Sequence, residues 1–118
     1  MTSDPFIYLE FIRKSVMHLP LVTEGTSYGT PGFFVQKKLF ARMKEDGETL
    51  VIRTEEREKW MEADPETFFI TDHYLNYPYM LISLPRVNPD DLKQLLTYAW
   101  LLRASKTLVK QSLIDKKL

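Results

Sequence analysis

Few side chains in this 118-residue chain have the type and spacing to carry chemistry. Two histidines, His18 and His73, are the obvious candidates for metal ligation or acid–base work. Neither has a second ligand at the i, i+4 spacing that places two donors on one helix face, so no metal site is expected. His73 stands between Asp72 and Tyr74 in an aromatic stretch, where local hydrogen bonding competes with an acid–base role. The chain has no cysteine, which excludes disulfides and thiolate zinc sites. Gly29-Thr30-Pro31-Gly32 lacks the glycine spacing that cradles phosphate, and no serine occupies a GxSxG turn. Glu55, Glu56, Glu58 and Glu62 read as the solvated face of a helix more simply than as a cation site. The expectation is a protein that is not an enzyme and holds no metal or cofactor.

The cations have a more informative pattern. Leu39 to Lys44 and Glu48 to Arg53 read as strands joined by Asp46-Gly47, a dipeptide that favours a type I′ turn with positive φ at both residues. The register then pairs Lys44 with Thr49, Met43 with Leu50, Arg42 with Val51, Ala41 with Ile52 and Phe40 with Arg53. Alternation sends Leu39, Ala41, Met43, Leu50 and Ile52 to the core, and Phe40, Arg42, Lys44, Thr49, Val51 and Arg53 to the other face. If Lys37-Lys38 turns the preceding strand back, Phe33 and Val35 join that second face, although this dipeptide offers no Gly, Asn or Asp for a tight turn. Aromatic rings interleaved with cations can stack bases and neutralise phosphate. Nucleic acid is therefore expected to contact Lys38, Phe40, Arg42, Lys44 and Arg53. Two other readings compete: a helix covers the apolar members, or the same face or the C-terminal helices form a homodimer or partner interface.

The elements that position this hairpin follow from periodicity. Residues 4–18 read as a helix, with Asp4 as N-cap, Pro5 at the first helical position and Leu19-Pro20 ending it. Thr26-Ser27-Tyr28 reads as a short strand, residues 29–32 as a turn and Phe33 to Gln36 as a second strand. Thr54 is placed as the N-cap of an acidic helix that runs to about Ala63. Phe68-Phe69-Ile70 and Tyr79 to Leu84 read as strands flanking the aromatic connection 71–78. Asn88, Pro89, Asp90 and Asp91 start a long helix whose buried stripe is Leu92, Leu95, Leu96, Ala99 and Leu102, widened by Trp100 and Leu101. Helical character resumes from Ser105 to Ile114. Antiparallel hairpins bounded by helices predict an α+β fold, with one antiparallel sheet and the N-terminal, middle and C-terminal helices packed mainly on one face. Residues 1–118 read as a single domain.

Composition agrees with that class, at 44% hydrophobic and 27% charged residues. Net charge is zero, unlike the basic excess usual in general nucleic-acid binders. The charge is unevenly spread: ten acids against three bases between Glu45 and Asp72, then five bases against one acid from Arg103 onward. The N-terminal residues lack a basic and apolar leader, and no apolar run approaches a membrane span, so a cytoplasmic protein with no membrane partner is expected.

Across residues 5–110 the order of motifs resembles the MmcQ/YjbR family. The residues that carry the likeness are Leu19-Pro20-Leu21-Val22-Thr23-Glu24 leading to Tyr28-Gly29-Thr30-Pro31, and Phe34-Val35-Gln36-Lys37-Lys38-Leu39-Phe40-Ala41, similar to the family's f-x-v-x-g-K-l-F-A run. Thr49 to Thr54 before an acidic helix, and Tyr98-Ala99-Trp100-Leu101-Leu102 before Ala104-Ser105-Lys106-Thr107-Leu108, complete it. Lys37 stands where the family commonly has glycine, and Met80 where it often has tryptophan. The resemblance implies a compact α+β fold likened to type III secretion chaperones and the CyaY/frataxin-like group. It also implies a DNA-binding role through strand wings, which would fall here on Lys38, Arg42, Lys44 and Arg53.

Overall fold

A computed structural model describes the backbone of residues 5–117 and the side chains of residues 6–114. Within them the order is α1 (Pro5–Val16), β1 (Val22–Ser27), β2 (Thr30–Val35), β3 (Lys38–Met43), β4 (Thr49–Arg53), α2 (Arg57–Ala63), β5 (Phe68–Phe69), β6 (Tyr79–Ser83), α3 (Pro89–Arg103) and α4 (Lys106–Lys117). The six strands form one sheet in the order β1-β2-β3-β4-β6-β5, antiparallel throughout. The expected α+β class and single antiparallel sheet are thus what the chain adopts. Asp4, expected to cap α1, lies outside the described residues.

One face of the sheet carries the helices. Ile12 and Val16 of α1 and Leu92, Leu95, Leu96, Ala99 and Trp100 of α3 join Phe33, Val35, Phe40, Ala41, Met43, Leu50, Ile52, Met80 and Ile82 in the core. Trp60 of α2 and Leu108 and Val109 of α4 pack against its margin. Asn88 starts α3 as its residue type dictates: its Oδ1 accepts from the amides of Asp90 and Asp91 at 2.8 and 3.3 Å, with Pro89 at the first helical position. Trp100 ties α3 to the α1–β1 connection by donating Nε1–H to the Pro20 carbonyl at 3.0 Å.

The hairpin register is the expected one, with Ala41, Arg42 and Met43 opposite Ile52, Val51 and Leu50. Its turn differs. Only Gly47 has positive φ (+69°), and its amide closes a turn on the Lys44 carbonyl at 3.0 Å. Asp46 instead acts through its side chain, accepting from the amides of Glu48 and Thr49 at 2.8 and 2.9 Å and from the Thr49 hydroxyl at 2.8 Å. Burial pushes the Asp46 carboxyl up, but these donors outweigh it and hold it below the usual carboxylate range.

Positive φ at both central residues occurs elsewhere. Tyr28-Gly29 (+54° and +82°) joins β1 to β2, and Gln36-Lys37 (+50° and +71°) joins β2 to β3, each as a two-residue hairpin loop. The turn expected at residues 29–32 is therefore one residue earlier and shorter, and Thr30, Pro31 and Gly32 belong to a strand. The turn expected at Lys37-Lys38 thus lies one residue earlier, and tertiary contacts clamp it. Ser105 donates its amide to the Gln36 side chain at 2.9 Å, and Arg103 Nε donates to the Leu39 carbonyl at 3.1 Å. Helix α2 also begins later than expected. The Thr54 hydroxyl accepts from the Glu56 amide at 3.1 Å and the Thr54 amide donates to the Pro78 carbonyl at 3.0 Å, so Thr54 belongs to an extended corner and not to a helix start.

Candidate binding face

A bulge in β3 decides which side chains reach the face opposite the helices. Phe33 pairs with Ala41 but Phe34 pairs with Leu39, so Phe40 is the extra residue with no partner across the ladder. The bulge turns both Phe40 and Ala41 into the core and leaves Leu39 on the outer side. Phe40 is 0% exposed and cannot stack a base, contrary to the expectation from simple alternation. Phe33 and Val35 are equally buried in the core and do not join the outer face. Lys38 sits opposite Val35, and paired residues share a face, so Lys38 belongs to the helix side at an exposed turn. Of the expected contacts, Arg42, Lys44 and Arg53 remain together on the outer face.

Arg42 is held there tightly. Its Nη1 donates to Thr30 Oγ1 at 3.2 Å and to the Met43 carbonyl at 3.3 Å, and lies 3.6 Å from Glu45. Its guanidinium carbon is 5.1 Å from the centre of the Tyr28 ring, within cation–π range. Only 8% of Arg42 is exposed, whereas Tyr28 is 85% exposed. The Glu45 carboxyl is held below its usual range by a backbone hydrogen bond and by the Arg42 and Lys44 charges. Arg53 lies 5.8 Å from the Tyr79 ring and 3.9 Å from Glu55, and its Nε is buried without a hydrogen bond inside the chain.

No helix covers this face among the described residues; the aromatic connection does. Residues 71–78 contain a 3-10 turn at Asp72–Tyr74 and fold back beside β4 and β6, and Val51 and Leu81 on the outer side of those strands are buried. The Tyr74 and Tyr79 rings lie 6.1 Å apart, and His73 meets Tyr74 edge-on at 4.7 Å. Arg57 pins the loop. Its Nη1 donates to the carbonyls of Tyr74, Tyr77 and Tyr79 at 2.8, 2.7 and 3.0 Å, and its Nη2 to that of Leu75 at 2.7 Å. The sequence signals did not single out Arg57, because a cation in an acidic helical segment reads as solvated. Its partners are backbone carbonyls 17 to 22 residues away, which leave no trace in side-chain pattern.

Together these parts enclose a cleft of about 300 Å³ lined by Tyr28, Leu39, Arg42, Val51, His73, Tyr74, Tyr77 and Tyr79. Four phenol rings, one imidazole and a buried guanidinium can hold a flat, electron-rich or anionic group by stacking and charge-assisted hydrogen bonding. His18, the other histidine, lines a different, apolar groove with Leu19, Pro20, Trp100 and Leu113. Among the described residues no three His, Asp or Glu side chains gather as a metal site requires. None of their helices is long and apolar enough to cross a membrane.

This α+β chain matches the YjbR family model over residues 17–102 and belongs to that family. Uncharacterized proteins of Mycobacterium tuberculosis and Mycobacterium bovis are each 40% identical to it over 52 residues, which is 44% of this chain and 40% of theirs. The matched segment thus spans less than half the length of those curated relatives. The crystal structure of Deinococcus radiodurans protein DR2400, with family-model domain DUF419, superposes with a TM-score of 0.72 at 20% identity, covering 86% of this chain and 81% of that one. That likeness concerns the fold. Met80, at the position where the resemblance implies tryptophan, is fully buried among the helix-facing residues and does not line the cleft.

Proposed function

We propose that this is a non-enzymatic, cytoplasmic binding protein that contacts nucleic acid, DNA included, through the outer sheet face. The observation that supports this reading most is the gathering of Tyr28, Tyr74, Tyr77 and Tyr79 around Arg42 in one cleft, with Arg53 against Tyr79 and Lys44 on the same face. Aromatic surfaces supply sequence-tolerant stacking, and neighbouring cations supply phosphate contacts. With zero net charge and Glu45 beside Arg42, few phosphates are neutralised, so binding is modest and its salt slope shallow. Fluorescence-anisotropy titration of mixed DNA and RNA at low salt should show binding. Lys44→Gln and Arg53→Gln should each weaken it and reduce the salt slope by about one. No binding, or binding indifferent to both changes, contradicts the reading.

A second reading rests on a separate observation. Leu101 and Leu113 are exposed and line the groove of about 390 Å³ between α3, α4 and the α1–β1 connection. Exposed apolar clusters of this kind mark protein contacts. A solution mass of twice the monomer by light scattering, reduced by Leu113→Glu, would favour that homodimer or partner module.

A further inference from the structure

Resting on the nucleic-acid reading of the outer face, the geometry points to a narrower ligand class: single strands, with one unpaired base entering the tyrosine cleft. Size is the first argument. About 300 Å³ lies at the low end of small-ligand sites, enough for one planar ring system and too little for a duplex edge with its two backbones. The placement of charge is the second. Duplex binding draws on several exposed cations that each neutralise a phosphate. Here Arg42 is buried on the cleft floor, engaged with Thr30 and the Tyr28 ring, where it can meet a group that enters the cleft but not a phosphate passing over the surface.

Tyr28 is the third and independent argument. It occupies the first central position of a two-residue hairpin loop at φ +54°, a place that favours Asn, Asp or Gly. The ring is almost wholly exposed, and the contact it returns for this strained backbone is the one with Arg42 at the cleft. Backbone strain of this kind clusters at ligand-contact positions. Tyr28 and Tyr77 reach the cleft from separate segments, the β1–β2 turn and the aromatic loop, and both are largely exposed.

The test titrates a labelled 12-nucleotide single strand and the matching duplex against the unaltered protein, Tyr28→Asn and Tyr77→Ala, with a thermal melt of each. Asparagine suits the turn, which offsets the lost contact with Arg42, so Tyr28→Asn should melt close to the unaltered protein. The single strand should bind at least ten-fold more tightly than the duplex, and each variant should lose roughly ten-fold for the single strand. Equal affinity for the duplex, or single-strand binding unchanged in both folded variants, overturns the inference and leaves the broader nucleic-acid reading standing. Failure to bind either nucleic acid removes both.

Discussion

Among the described residues four that are not glycine, Leu21, Tyr28, Gln36 and Lys37, adopt the left-handed backbone region that usually belongs to glycine. Lys37 is the most instructive, since the family resemblance places glycine there and the φ of +71° gives the physical reason. Left-handed strain in an L-residue costs about 1–2 kcal/mol, while glycine adds about 0.5–1 kcal/mol of unfolded-state entropy. Lys37→Gly should therefore stabilise the protein by roughly 0–1.5 kcal/mol, read as an unchanged or raised denaturation midpoint, and a lowered midpoint would contradict this. Asp46-Gly47 teaches the converse. The dipeptide marked the reversal and its register correctly, but Asp46 uses its carboxylate to bind two amides and never needs positive φ. Turn chemistry in sequence reports where a chain reverses more reliably than which dihedrals it uses, because long-range partners such as Ser105 on Gln36 select among the options.

At the level of elements, periodic segments were legible and interruptions were not. The α3 stripe and its cap follow directly from Asn88-Pro89 and the spacing of Leu92, Leu95, Leu96 and Ala99. The β3 bulge does not, since one added residue leaves the hydrophobic pattern plausible while reversing every assignment before it. This exchanged Phe40 for Leu39 on the outer face and moved Lys38 away from Arg42. The aromatic connection is the other element that sequence pattern could not place, because what fixes it is Arg57 reaching four distant carbonyls. Hydrogen bonds from a charged donor contribute about 1.5–3 kcal/mol each at most, and those to the exposed part of the loop contribute less. Arg57→Ala should lower stability by about 2–3 kcal/mol and raise amide exchange across residues 71–78 well above that of β4. Retained protection in the loop would show that Arg57 does not position it. Lysine should not substitute, having no planar fork to span several carbonyls.

The whole molecule divides its surfaces by chemistry. Helices pack on one side of the sheet and leave an apolar groove at Leu101 and Leu113; an aromatic loop lies on the other side and leaves a cleft over Arg42. The fold class was legible because alternating strands and capped helices imply layers. The cleft was only half legible: Arg42, Lys44 and Arg53 follow from the hairpin register, whereas Tyr28 and the loop tyrosines arrive through a turn and a long connection. The two faces make different claims on a partner, and a single measurement separates them. Amide and side-chain chemical shifts of isotope-labelled protein, followed during titration with a single-stranded oligonucleotide, should move at Tyr28, Leu39, Arg42, Val51, Tyr77 and Tyr79 and stay fixed around Trp100 and Leu113. Shifts centred on the α3–α4 groove, or none at saturating oligonucleotide, would contradict the assignment of the outer sheet face as the binding surface.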